Sequence, residues 1–336
     1  MPNVLLLTFT RSLTEFVKTG CTDGQGREIF PSSCVTTLES WQRSLYRIHG
    51  KNLPSPHASL MEWKRELARG ALSFSQRPRK QKYEALFVDE AQDLLDEEVE
   101  LLTKWSPVLF LVGDDRQRIY GHNEGLHSAR QKVALISEHT LEFHYRMAPE
   151  ICAAADRILL PQGGESLAST QHYNGPKPAA FRVAQRAMSR DTQLEAVSAK
   201  LKEQVRVYGD LIKQGDRIGV ITALKKDRAA IFDYFEADSA LKGKSKIIRA
   251  REDDEDEYDP ALDDEAPICI LTVQGCKGLE FRAVHWIFAD ENSHHHSEEH
   301  YYTVVTRAKT SFDAYFTQNR PRVLAGAHSE SGVDPW

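Results

Sequence analysis

The sequence predicts an α/β fold with parallel sheets, in about two domains. Short apolar runs rich in Val, Ile, Leu and Phe recur between polar or turn residues, as strands buried on both faces do. Helical patterns separate them, and strands alternating with helices build parallel sheets. The length, 336 residues, fits two domains at roughly 150 residues each.

Strands are expected at 4–8, 85–88, 108–112, 218–222, 268–272 and 284–288, with helices at 59–72, 193–208 and 225–235 among others. The N-terminal run has no basic flank and no small-residue cleavage site, so it reads as a strand and not as a signal peptide. No apolar run is long enough to cross a membrane. The five cysteines, Cys21, Cys34, Cys152, Cys269 and Cys276, show no C-x-x-C spacing. That argues against a disulfide framework or zinc ribbon and for a reducing, cytoplasmic setting. Gly163-Gly164 and the Asn-Gly-Pro-Lys-Pro segment at 174–178 break the pattern in mid-chain.

The net charge of −6 hides a sharp asymmetry. Residues 251–266 hold ten acids and one arginine; residues 41–82 hold ten Lys/Arg and two Glu. The acidic run reads as an exposed loop. The basic stretch is either a solvated helical face or a phosphate-binding patch.

The strongest chemical signal is Leu86-Phe87-Val88-Asp89-Glu90-Ala91-Gln92-Asp93, an apolar strand ending in adjacent acids. In a nucleotide hydrolase, an Asp there suits magnesium and the following Glu suits a proton acceptor for the attacking water. The bland reading is a strand running into an acidic helix N-terminus. The next strand ends at Gly113-Asp114-Asp115-Arg116-Gln117, and ligands of open α/β sheets bind at such C-terminal ends. Tyr145-Arg146 pairs a ring that can stack on a base with a guanidinium that can reach a phosphate. Thr272 to Phe281, containing Lys277-Gly278-Leu279-Glu280, and Val305-Thr306-Arg307-Ala308 are weak alone; the first could start a helix and the second could lie in any helix.

In order and spacing, these segments resemble the UvrD/Rep-type superfamily 1 DNA helicases. Asp89 to Asp93 looks like motif II, Gly113-Asp114 with Gln117 and Ile119-Tyr120 like motif III, Tyr145-Arg146 like motif IV, 272–281 like motif V and 305–308 like motif VI. Leu7-Thr8-Phe9-Thr10-Arg11 resembles motif Ia, and Thr37-Leu38-Glu39-Ser40 the T-x-H-S segment. The resemblance implies two RecA-like, P-loop-NTPase-type domains, 1–147 and 148–330, that clamp ATP and move along single-stranded DNA in the 3′→5′ direction. A small helical insertion is expected at about 41–82, with the family's second large insertion absent or vestigial. By resemblance, Asp89 binds Mg²⁺, Glu90 activates water, Gln117 contacts the γ-phosphate, and Arg146 and Arg307 reach it as arginine fingers. Tyr145 stacks on adenine, Glu280 binds the ribose, and Lys277 lies among the nucleotide-binding residues. Phe9, Thr10, Ser40, His122 and Thr272 line the DNA.

The sequence departs from that family in one large respect. The phosphate-binding G-x-x-x-x-G-K-[ST] that precedes motif Ia is not found. The only Gly-Lys-Ser, Gly243-Lys244-Ser245, has Asp238 where the first glycine belongs and precedes a strand, so it reads as a basic turn. The first domain is therefore expected to be incomplete at its N-terminus, with the missing segment lost, encoded upstream of a misplaced start, or supplied by a separate subunit. His122 stands where the family has a stacking Trp, and Glu39 where it has His. His294-His295-His296 and His300 read as an exposed loop and not a metal site. Two functions follow: an ATP-driven helicase or translocase that depends on the missing loop, or a catalytically inactive helicase-like module binding DNA or protein.

Overall fold

The computed structural model describes residues 3–55, 59–74, 83–117, 125–160, 165–248, 266–291 and 295–328. His122, Arg77, Arg79, Lys80, His294 and nearly all of the acidic run lie outside them. The chain divides into two compact units, Met1–His139 and Thr140–Trp336, eight residues ahead of the expected 147/148 boundary. The reason is local: Met147 and Ala148 are buried in the core of the second unit, and the Ala148 N–H donates to the Lys309 carbonyl at 2.8 Å.

The first unit holds a four-stranded sheet, β1 (Val4–Thr8), β2 (Val35–Thr37), β3 (Ala85–Val88) and β4 (Leu109–Leu111), in the order β2-β1-β3-β4. Every pairing is parallel. Its helices are α1 (Arg11–Thr19), α2 (Leu38–Ile48), α3 (Leu60–Phe74), α4 (Asp96–Trp105) and α5 (Gly125–Lys132). Alternation along the strands sends Leu5, Leu7, Leu86 and Val88 to one face, where Trp41, Leu45, Leu67, Val99 and Leu102 bury them. The helices of the basic 41–82 stretch thus help wall the core. Glu98 sits inside it, accepting from Gln42 Nε2 at 3.1 Å and the Leu95 N–H at 2.9 Å. Burial pushes its carboxyl above the ordinary range, against those two hydrogen bonds.

The second unit holds a six-stranded, all-parallel sheet. Its strands are β5 (Ala180–Val183), β6 (Ile218–Thr222), β7 (Ser245–Ile247), β8 (Ile268–Thr272), β9 (Phe281–Trp286) and β10 (Ala308–Ala314), ordered β5-β10-β9-β6-β8-β7. Around it lie α6 (Pro149–Ile158), α7 (Leu167–Thr170), α8 (Arg190–Val207), α9 (Gly209–Lys213), α10 (Asp227–Ala237), α11 (Glu298–Val305) and α12 (Arg322–Ala327). Two apolar clusters, one per face, cover this sheet. No helix among the described residues is long and apolar enough to cross a membrane.

Strands 4–8, 85–88, 218–222 and 268–272 form as the sequence predicts, whereas β2, β5, β7 and β10 are additions. β9 starts at Phe281 rather than 284, because the Phe281 N–H bonds the Arg307 carbonyl at 2.9 Å. Lys277-Gly278-Leu279-Glu280 starts no helix. Gly278 turns with φ 75° and the chain enters β9 directly. Thr306-Arg307-Ala308 is the junction where α11 ends and β10 begins, not helix interior. Gly243 is a turn with φ 73° just ahead of β7, as expected for a basic turn.

Under α8, the fully buried His285 ring has Nε2 2.8 Å from Gln204 Oε1 and Nδ1 3.9 Å from Asp313 Oδ2. Lys200 and Arg182 reach the same Asp313 carboxylate, at 2.5 and 3.7 Å. Burial pulls the His285 pKa from 6.5 to about 4, against the opposing pull of Asp313. A folded pKa below the unfolded one means the unfolded chain binds the extra proton, so this stability is present above pH 6.5 and is lost as pH falls toward 4. Urea unfolding should show a loss of about 3 kcal/mol across that window. His285→Gln should flatten most of it, with His300, also lowered by burial, supplying a smaller part of the same sign. An unchanged slope in the variant would remove His285 as its source.

Candidate functional site

In the first unit, the polar groups gather at the C-terminal ends of the strands. Asp89 and Glu90 follow β3, and Asp114 and Gln117 follow the adjacent β4. The Asp89 N–H donates to the Leu7 carbonyl at 3.0 Å, which extends the β1–β3 ladder to the acid. Asp89 Oδ1 accepts the Glu90 N–H at 2.9 Å. Glu90 takes a left-handed conformation, φ 55° and ψ 39°, a costly one for a side-chain-bearing residue and a frequent mark of functional sites. The turn continues through Ala91–Asp93, with the Ala91 N–H on the Val112 carbonyl at 2.8 Å.

Gln92 ties the two strand ends together. Fully buried, it donates from Nε2 to Glu90 Oε2 and accepts the Asp114 N–H on Oε1 at 3.1 Å. Asp114 accepts from the Arg116 N–H at 2.9 Å and from Gln117 Nε2 at 3.2 Å. The glycine before it is required, since a Cβ on Gly113 would lie 2.4 Å from Gln92 Oε1 and 3.0 Å from its backbone nitrogen. Glu90, Gln92, Asp114 and Gln117 thus form one hydrogen-bonded chain across β3 and β4. Carboxylates and an amide suit a hard cation held by one protein carboxylate and by substrate phosphates.

Of the expected DNA residues, Phe9, Thr10 and Ser40 lie just beyond the ends of β1 and β2. Thr10 caps α1 by accepting the Leu13 N–H at 3.2 Å. Phe9 is half-buried, with the Lys64 ammonium over its ring at 5.3 Å. Ser40 lies in the first turn of α2, its N–H on Thr37 Oγ1 at 3.0 Å. Glu39 is paired with Arg43 at 2.7 Å, so its charge meets a cation of its own helix. Arg69 pairs with Glu97 at 2.7 Å, and Arg65 with Glu62 at 3.8 Å.

In the second unit, Arg146 and Glu280 are brought together as an ion pair. Lys309 Nζ lies 3.7 Å from the other Glu280 oxygen and 2.9 Å from Asp216 Oδ1. Asp216 Oδ2 accepts from Arg282 Nε and Nη2 at 2.8 and 2.5 Å. Burial raises the Asp216 carboxyl, but hydrogen bonds from Lys309 and Arg282 outweigh it and hold it below the ordinary 3.8. Tyr145 is exposed and stacks on His172, with ring centroids 5.4 Å apart.

Arg307 is only 3% exposed. Its guanidinium donates to the Thr303 and Leu279 carbonyls at 3.1 and 3.3 Å and to Thr306 Oγ1 at 3.3 Å. Lys277 is likewise buried. Thr272 ends β8 and accepts the Gly275 N–H at 3.1 Å. The sequence reading assigned no role to Gln92, Asp216, Arg282 or Lys309. Gln92 lay inside the motif II segment, but nothing in the sequence marked Asp216 as the partner of two distant cations.

Residues 64–133 match the family model described as the UvrD/REP helicase N-terminal domain, and residues 267–312 match the UvrD-like helicase C-terminal domain. The two matches support a UvrD-like helicase. The first spans Asp89 to Gln117; the second spans Thr272, Glu280 and Arg307. Among solved structures, the C-terminal domain of a possible DNA helicase from Lactobacillus plantarum WCFS1 is similar to this chain at 18% identity. That likeness covers 55% of this chain and 94% of that one, with a TM-score of 0.35. No curated protein matches the chain.

Proposed function

We propose that this chain is an ATP-dependent helicase or translocase of the UvrD/Rep type acting on single-stranded DNA. Its two units are then RecA-like domains, and its ATP hydrolysis depends on a phosphate-binding loop that these 336 residues do not encode. The observation that carries the reading is the hydrogen-bonded chain Glu90–Gln92–Asp114–Gln117 across the ends of β3 and β4. It holds a carboxylate and an amide ready at the edge where α/β sheets bind ligands. Asp89 would hold Mg²⁺ together with the phosphates, and the ion would neutralise charge on the transferred group. Glu90 would take the proton of the attacking water, oriented by the Gln92 amide. Arg146 and Glu280 would exchange their mutual pairing for contacts with the nucleotide, and Tyr145 would offer its exposed face to a base.

The burial of Arg307 among the carbonyls of its own unit favours the second reading, an inactive module that binds DNA or protein. The discriminating experiment is single-strand-stimulated ATP hydrolysis by the chain carrying an upstream phosphate-binding segment, with Glu90→Gln as control.

DNA binding in either reading should be sequence-neutral and salt-sensitive. Releasing counterions from four phosphates should weaken single-strand affinity about fiftyfold on a fourfold rise in salt. Arg69 must first leave Glu97, so Glu97→Gln should strengthen binding. A flat salt response would make the basic stretch a solvated face alone.

A further inference from the structure

Three aromatic rings gather on the surface of the second unit just ahead of Arg146. Phe143 and Tyr145 are 54% and 66% exposed. Alternation along this extended stretch puts both on one side of the chain and His144 on the other. The isolated parallel bridge between His144 and Gln171 brings a third exposed ring, His172, beside them. Tyr145 stacks on His172 at an interplanar angle of 27°, with centroids 5.4 Å apart. Phe143 meets the same imidazole edge-on, at 62° and 5.2 Å. Single exposed apolar side chains are ordinary on a protein surface, but clustered aromatic rings mark a place of binding.

The backbone under the cluster is held at several points. The His144 N–H donates to the Thr170 carbonyl at 3.3 Å, and the His172 N–H to the His144 carbonyl at 2.8 Å. His144 Nε2 lies 3.0 Å from the Leu167 carbonyl. The buried Asp156 carboxylate accepts the Leu167 and Ala168 N–H groups at 3.0 and 2.8 Å, which fixes the start of α7. On the far side of His172, Gln171 Oε1 accepts the Tyr173 N–H at 2.9 Å. The Tyr173 hydroxyl lies 2.6 Å from Oγ1 of Thr310, a fully buried residue of β10. The residues flanking His172 are thus tied to the core of the unit. Its own ring reaches outward and covers one face of Tyr145.

We propose that His172 is a positioning residue for base recognition: it backs one face of Tyr145, so that the other face is held ready for a purine. This rests on the nucleotide reading of Tyr145, Arg146 and Glu280 given above. An exposed tyrosine with no neighbour samples several rotamers, and an arriving ligand must then bear the cost of ordering it. With His172 behind it, Tyr145 is ordered before the base arrives, and the stack runs His172, Tyr145, base. A two-ring purine overlaps such a platform more fully than a pyrimidine, so ATP should bind more tightly than CTP.

The test is an NMR titration of the 336-residue chain with ATP, following the adenine H2 and γ-phosphorus resonances. Tyr145→Ala should weaken ATP binding about 5-fold to 150-fold, the range of one base–aromatic stack. His172→Ala should weaken it about threefold to tenfold, the cost of one side chain left to be ordered on binding. In that variant the upfield ring-current shift of adenine H2, extrapolated to saturation, should shrink while the γ-phosphorus shift stays. A merely structural role would move both. His172→Phe, which keeps a ring behind Tyr145, should restore affinity and shift. Binding weakened by Tyr145→Ala but unchanged by His172→Ala would overturn this proposal and leave the nucleotide reading standing. Failure of His172→Phe to restore would also overturn it, since the imidazole nitrogens and not the ring face would then be at work. Absence of ATP binding, or binding indifferent to Tyr145→Ala, would sink the nucleotide reading of the site and this proposal with it.

Discussion

Glu90→Gln should lower single-strand-stimulated ATP hydrolysis by about 10²–10⁴-fold in a chain supplied with a phosphate-binding segment, the usual contribution of a positioned general base. The substitution keeps size and shape in a buried, left-handed turn whose neighbours are fixed. It removes the carboxylate that accepts from Gln92 and leaves Asp89, Asp114 and Gln117 in place. Nucleotide binding should therefore persist while turnover fails, a split that a folding defect would not produce. Without the segment, the chain should hydrolyse ATP near background. Phosphoryl transfer is chiefly positioning and charge stabilisation, and neither Asp89 nor Gln117 can hold the β- and γ-phosphates alone. Strong Glu90-dependent hydrolysis by the chain as it stands would reveal a phosphate cradle elsewhere. No hydrolysis after restoration would favour the inactive module.

Asp216→Ala should destabilise the second unit by about 1.5–3 kcal/mol, the range for hydrogen bonds to a charged group, because the pair is partly rather than fully buried. Asp216 and Arg282 side chains are each 11% exposed, and the carboxylate also holds Lys309. Lys309 retains Glu280 as a second partner at 3.7 Å. Among the described residues, Arg282 would keep longer contacts, to the Tyr173 and Thr310 hydroxyls at 3.4 and 3.2 Å, so it is the stranded charge. Because the folded Asp216 pKa lies below 3.8, its stabilisation is present above that pH and is lost as pH falls through the folded value. Urea midpoints of wild type and variant should accordingly differ near neutrality and converge in strong acid. Equal stability near neutrality would mean that Lys309 and Arg282 are solvated well enough to dispense with the carboxylate.

The strands were legible in very different degrees. β1, β3, β6 and β8 are dense apolar runs, and each forms at its predicted place because no polar position interrupts the run, whether both faces are buried, as in β6 and β8, or one is partly exposed, as in β3. Asp89 and Glu90 were legible for the same reason, standing at the abrupt end of such a run. β10, Ala308–Ala314, was not. Its Thr310, Ser311 and Asp313 are buried yet polar, so it lacks the apolar pattern that announces a strand. The partners that make that burial tolerable, among them Arg282, Lys200 and Arg182, come from distant parts of the chain.

The sequence by itself determined the α/β class, the parallel strands and the order of the chemical residues, since these follow from local periodicity and from residue type. Only the tertiary structure decided which charges pair. Arg146 meets Glu280 across 134 positions, and Asp216 meets Arg282 across 66. It also decided that Arg307 turns to the Thr303 and Leu279 carbonyls and that, among the described residues, Phe87 and Phe110 stay exposed. Pairing and coverage depend on which strands become neighbours. Sheet order is set by long-range packing and crossover handedness, and no short window of sequence contains it.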